Sequence, residues 1–157
     1  MIGAMIVLAA ASAELGKPRE ACAIAVRVLR DVSRTDRESR LPTDRFVDTR
    51  PAEGRASTLL ACPDLARHLP HGLKLAGPAE ASYVAAHQVP RADDPVPVRY
   101  VDIFSVSLPE LSQDGQSATV SIEKQCVGLC GSGFKWRYDR HGGRWVRAAP
   151  GMPDWVS

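Results

Sequence analysis

The chain has 157 residues, of which 45% are apolar and 24% charged, with a formal net charge of +2. That length suits one domain with a real core, and those fractions sit near globular averages, which excludes a wholly disordered chain and a multispanning membrane protein. The arginines are scattered and form no basic face interleaved with aromatics, so the electrostatic footprint of a nucleic-acid binder is missing and no nucleic-acid partner is expected.

The first thirteen residues, MIGAMIVLAAASA, carry no charge and end in Ala11-Ser12-Ala13, the small-x-small pattern that signal peptidase reads. Residues 1–13 are therefore expected to be a signal peptide cleaved before Glu14, leaving 14–157 as a single exported domain, periplasmic or secreted. No Lys or Arg precedes the apolar run, which a start codon assigned too far downstream would explain. The competing reading is the first turns of a buried helix, interrupted by Gly16 and Pro18. About 20 apolar residues are needed to cross a bilayer, so a run this short implies no stable membrane span.

From Pro18 to about Arg34, Ala21, Ile24, Ala25, Val28, Leu29 and Val32 fall at helical spacing, with Arg19, Arg27, Arg30 and Arg34 mostly outside that stripe. Pro18 suits a first helical turn, where its missing N–H costs nothing. A second period competes, because Cys22, Ile24, Val26 and Val28 also alternate as they would in a strand. The segment TDRESRLPTDR is charged and apolar-poor, a connection into a short strand at 45–49. Between 52 and 97, prolines at 63, 70, 78, 90, 95 and 97 exclude long elements. Short helices are expected from Ser57 to Ala61 and, capped by Asp64, through His68. RADDPVP at 91–97 reads as a surface linker.

Strand signals sharpen after Pro97. VRYVDIFSVSL is rich in β-branched and aromatic residues, and the loop from Pro109 to Gly115 carries Asp114-Gly115 as its turn. Ala118, Val120 and Ile122 alternate with polar residues, and so do Phe134, Trp136 and Tyr138. Arg140-His141-Gly142-Gly143 turns into Trp145-Val146-Arg147, and Trp155-Val156-Ser157 adds a last short edge. The fold class is accordingly α+β, an N-terminal helix packed on an antiparallel C-terminal β-meander of about four strands.

Cys22, Cys62, Cys126 and Cys130 all lie beyond the proposed cleavage point, an even number suited to an oxidising compartment. Four cysteines allow three pairings. Cys126 with Cys130 and Cys22 with Cys62 is favoured, because the first pair is close in sequence among glycines that let a small loop close. Other chemistries fit the stretch QCVGLCGSGF, residues 125–134, less well. Structural zinc needs four N or S ligands, and only His141 follows the two sulfurs. Thiol redox chemistry favours Cys-x-x-Cys at a helix start, and a phosphate loop also feeds a helix, whereas a strand follows here. The stretch reads as a tight β connection stapled by a disulfide, in which glycines supply positive φ. Gly131→Val is costly if Gly131 is one of them.

His68 and His71 flank Pro70, which breaks any helix through the pair, so they read as solvated loop residues. His87 is isolated and His141 stands in a turn. With no spare thiol, no G-x-S-x-G context, and too few oxygen ligands around Asp93-Asp94 for calcium, no catalytic residue, metal or cofactor is expected. Phe134, Trp136, Trp145 and Trp155 form the candidate ligand or partner surface, while the competing reading makes them the core of a sheet short of aliphatic bulk.

The tail CVGLCGSGFKWRYDRHGGRWVRAAPGMPDWVS resembles the C-terminus of a group of uncharacterised bacterial exported proteins and lipoproteins. Members end in Leu-Cys-Gly, Gly, an aromatic strand, Gly-x-Trp and Trp-Val/Ile-Ser, matched here by Leu129, Cys130, Gly131, Gly133, Gly143, Trp145, Trp155, Val156 and Ser157. The likeness spans roughly the last fifth of the chain. It implies export and the hairpin, and carries no activity. Lipid anchoring is not carried over, because Ala10-Ala11-Ser12-Ala13 holds no lipobox cysteine. Together these features lead us to expect a non-catalytic binding or interaction module for an unidentified protein or small-molecule ligand. The alternative is a small-molecule binding or hydrolytic domain with a pocket between helix and curved sheet.

Overall fold

The computed structural model describes residues 7–35, 42–88, 99–128, 130–148 and 153–156, of which 7–17 and 153–156 are described by their backbone alone. Helical spacing wins over alternation in the N-terminal segment: α1 spans Val7–Arg34. It begins well before Pro18, and neither Gly16 nor Pro18 interrupts it, so the proline lies inside a helix that forgoes one i→i−4 hydrogen bond there. The C-terminal end of α1 is held from outside, where an Arg45 guanidinium N–H donates to the Ser33 carbonyl at 3.0 Å. A cation at that position also complements the negative end of the helix dipole. Among the described residues no helix is long and apolar enough to cross a membrane.

Next come β1 (Thr43–Val47), a 3-10 turn (Ala52–Gly54), α2 (Thr58–Ala61), α3 (Pro63–Arg67), β2 (Lys74–Leu75) and α4 (Pro78–His87). Asp64 does not cap α3. The cap position is Cys62, Pro63 opens the helix with the φ its ring imposes, and Asp64 sits in the first turn. The remaining strands are β3 (Tyr100–Val106), β4 (Glu110–Leu111), β5 (Ser117–Cys126), β6 (Ser132–His141), β7 (Arg144–Arg147) and β8 (Pro153–Val156). The expected linker at 91–97 lies outside the described residues.

The fold is α+β, and its sheet differs from the expected four-stranded meander. Eight strands form one sheet in the order β2-β1-β3-β5-β6-β7, with β4 beside β5 and β8 beside β6. The C-terminal pairings are antiparallel, but β1 runs parallel to both β2 and β3, so the sheet is mixed and draws a strand from the N-terminal half. Parallel neighbours need a long crossover, and the segment carrying α2, α3 and α4 supplies it. β4 continues the line of β3 along β5 after a break that includes Pro109, and β8 lies on the same flank of β6 as β7.

α1 covers one face of this sheet. Its Ile24, Val28, Leu29 and Val32 meet Phe104 and Val106 of β3, Ala118, Val120 and Ile122 of β5, and Trp136 and Tyr138 of β6. On the opposite face a smaller core joins Phe46, Val101, Ile103 and Val127 to Val84 of α4. β3 is thus covered on both sides, which is why Val101 to Val106 are all buried instead of alternating.

Candidate functional site

Of the four aromatic residues expected at a ligand surface, Trp136 is part of the core beneath α1, with the Arg147 guanidinium 4.5 Å from its ring centroid. Phe134 and Trp145 are half-buried at the margin of the same core, and Arg140 lies 5.8 Å from the centroid of Trp145. The backbone of Trp155 pairs with Gly133, while its side chain, like Leu129 and Ser157, lies outside the described residues. The side chains of the larger core lie between α1 and the sheet.

Disulfides join Cys22 to Cys62 and Cys126 to Cys130, with Cα separations of 5.7 and 6.0 Å. Among the described residues of the short loop the positive φ, 88°, belongs to Gly128 and not to Gly131. Gly128 donates its N–H to the His87 carbonyl at 2.9 Å, and Val127 is buried against α4. The loop therefore fastens the β5–β6 connection onto the C-terminal end of α4. The longer bridge ties α1 to the junction of α2 and α3. Among the described residues no group of three or more His, Cys, Asp or Glu side chains is arranged to hold a metal ion.

The polar face of the sheet carries a charge network that sequence spacing does not announce. Glu53, in the 3-10 turn, adopts a left-handed conformation with φ 49°. Its N–H donates to Glu123 Oε1 at 2.8 Å, and its carboxylate accepts from Ser121 Oγ at 3.2 Å and lies 3.6 Å from Lys135 Nζ. Close by, the Asp48 carboxylate accepts from Ser105 Oγ at 2.8 Å, from the Arg50 N–H at 3.1 Å and from the Arg50 guanidinium. Arg55 pairs with Glu110. A left-handed non-glycine residue is held only where its surroundings over-determine it, and here those bonds do so. The network spends its charges on itself.

The flank of α1 differs. Pro18, Cys22, Val26, Arg30 and Arg34 recur every four residues, which places each beside the next in a stripe that slants around the helix by about 40° per step. Opposite the stripe runs the segment from Ala61 to His71. Two open depressions lie between them. One, about 490 Å³, is lined chiefly by Pro18, Cys22, Val26, Pro63 and Leu65. The other, about 430 Å³, is lined by Val26, Arg30, Arg34, His68, Leu69 and His71. Both volumes fall in the range of small-molecule sites. His68 and His71, expected as solvated loop residues, are exposed and face two arginines of α1 across this depression, and among the described residues neither Arg30 nor Arg34 is held in an ion pair. His68 donates its Nδ1 hydrogen to the Asp64 carbonyl at 3.1 Å, which leaves Nε2 as the free ring nitrogen. The four-residue spacing of the stripe was visible in the sequence, but the opposing wall was not.

No family model matches the chain, and neither a curated protein nor a solved structure matches it.

Proposed function

We propose that the protein is an exported, non-catalytic binding module, periplasmic or secreted, which presents the flank of α1 to its ligand. The observation that carries this reading is the pair of depressions along α1, set in a frame cross-linked by Cys22–Cys62. Disulfides form and persist in oxidising compartments. The uncharged leader-like residues 1–13, the Ala11-Ser12-Ala13 pattern and the likeness of the tail to exported bacterial proteins support the same location. On the polar face of the sheet, Asp48, Glu53 and Lys135 engage one another's neighbours, whereas Arg30 and Arg34 face an open depression. That contrast favours the flank of α1 as the binding surface.

Native mass spectrometry of the oxidised protein incubated with a small-molecule mixture tests the reading. One-to-one adducts that release their ligand at unaltered mass are expected. Steady consumption of a compound with appearance of a new product mass would contradict it.

A further inference from the structure

The two depressions along α1 differ in chemistry and meet at Val26. Towards the N-terminal end the stripe presents Pro18, Cys22 and Val26 against Pro63 and Leu65, a mainly apolar channel spanned by the Cys22–Cys62 bond and lined also by Arg19 and Asp64. Towards the C-terminal end it presents Arg30 and Arg34 against His68 and His71. At 1.5 Å per residue the stripe from Pro18 to Arg34 runs about 24 Å. We propose that this groove binds an amphipathic anion: a single-chain molecule whose oxyanion head, a carboxylate or phosphate, sits between Arg30 and Arg34, and whose alkyl chain lies over Val26 towards Cys22 and Pro18. The assignment rests on the binding-module reading and names its ligand class.

Three features favour that ligand over its competitors. Guanidinium groups match carboxylate and phosphate oxygens in a planar fork, and neither arginine is held by a carboxylate among the described residues. The carbonyl end of α1 would repel an anion placed there, but Arg45 donates to the Ser33 carbonyl and offsets that end. At the more apolar end the lining adds one carboxylate, Asp64, which is turned to Arg67 at 3.1 Å, and one further cation, Arg19, so no unpaired carboxylate opposes an anionic ligand there. A ligand with only a head group would leave the apolar channel empty, and one with a cationic head would meet Arg30 and Arg34 with like charge. The lining residues all lie after Ala13, so removal of the expected leader leaves the groove whole.

Isothermal titration of the oxidised protein with decanoate, decyl phosphate, inorganic phosphate and decyltrimethylammonium, each below its micellar concentration, tests the assignment. Saturable one-to-one binding of decanoate and decyl phosphate is expected, with at least tenfold weaker binding of the other two. The double variant Arg30→Glu/Arg34→Glu should weaken decanoate binding at least tenfold. Val26→Asp, a change at a half-buried position where the two depressions meet, should do the same, with unchanged circular dichroism showing that each variant folds. Equal binding of decyltrimethylammonium, full binding by inorganic phosphate, or decanoate affinity unaffected by either variant would overturn the proposal. So would co-sedimentation with phosphatidylglycerol vesicles without binding of monomeric decanoate. Absence of any saturable alkyl-anion binding overturns the ligand class alone, since the turnover experiment separately decides whether the module is non-catalytic.

Discussion

Tyr138 is fully buried under α1, and its hydroxyl donates to Asp31 Oδ2 at 3.1 Å while Arg27 Nε donates to the same oxygen at 3.2 Å. Burial first, and then the charge of Asp31, hold the phenol above the ordinary tyrosine pKa of about 10. The folded chain therefore keeps a proton that the unfolded chain releases near pH 10. The resulting stabilisation is complete below that pH and is lost progressively as pH rises beyond it. Tyr138→Phe removes a buried hydrogen bond to a charged acceptor and should cost about 1.5 to 3 kcal/mol near neutrality. It should also flatten the alkaline decline, which urea midpoints at about pH 8 and about pH 11 would reveal. A decline as steep in the variant as in the parent would assign the effect elsewhere. Asp44 shows the opposite sign: hydrogen bonds from Arg99 and then Lys74 hold its carboxyl below the usual range. Its contribution is present above the ordinary aspartate value and fades as pH falls through the lowered one. Being on the surface, that contribution is small and screened by salt, so Asp44→Asn should shift the melting temperature at low ionic strength more than at high.

Among the elements, the two disulfides are not equivalent. Cys22 and Cys62 are 40 residues apart in sequence, and Cys126 and Cys130 only 4. Chain-entropy reasoning gives about 4 kcal/mol for closing the long loop and about 2 kcal/mol for the short one. Cys22→Ser/Cys62→Ser should therefore lower stability in urea more than Cys126→Ser/Cys130→Ser does, and the reverse order would contradict loop closure as the dominant effect. In the short loop, Gly128→Ala should cost about 1 to 2 kcal/mol because it forces a side chain into the left-handed region. Gly131→Ala carries no such backbone penalty.

The same elements explain what the sequence disclosed. β5 and β6 were legible because one face is buried and the other polar, so Ala118-Val120-Ile122 and Trp136-Tyr138 alternate with charged or hydroxyl residues. The Gly142-Gly143 hairpin was legible because both residues need positive φ, which is what the turn joining β6 to β7 requires. The parallel placement of β1 was not legible, since five residues in TDRFV carry no local mark of a partner that arrives after three intervening helices. Nor was the extent of α1: Gly16 and Pro18 are helix breakers taken alone, yet the helix continues through both. The groove was not legible because its stripe mixes apolar and basic residues and therefore has no amphipathic period, and because its far wall comes from residues 61–71.

Taken whole, the molecule is a mixed sheet with α1 across one face and α4 supporting the β1–β3 edge of the other. Each helix is fastened at its margin by a disulfide-bearing segment: α1 directly through Cys22–Cys62, and α4 through the Gly128 N–H in the Cys126–Cys130 loop. Reduction should thus loosen both helices from the sheet before the β5–β6 pairing, which hydrogen exchange would register as loss of protection in α1 and α4 ahead of β5 and β6. A cross-linked frame of this kind is consistent with the proposed export to an oxidising compartment, and the proposed groove on the flank of α1 is built across it. Peptide mapping by mass spectrometry, on protein recovered from the cell envelope or the culture medium without reduction, tests this most directly. The expected result is a chain beginning at Glu14, with Cys22 linked to Cys62 and Cys126 linked to Cys130. A cytoplasmic chain that retains Met1 and alkylates at all four cysteines without prior reduction would contradict it.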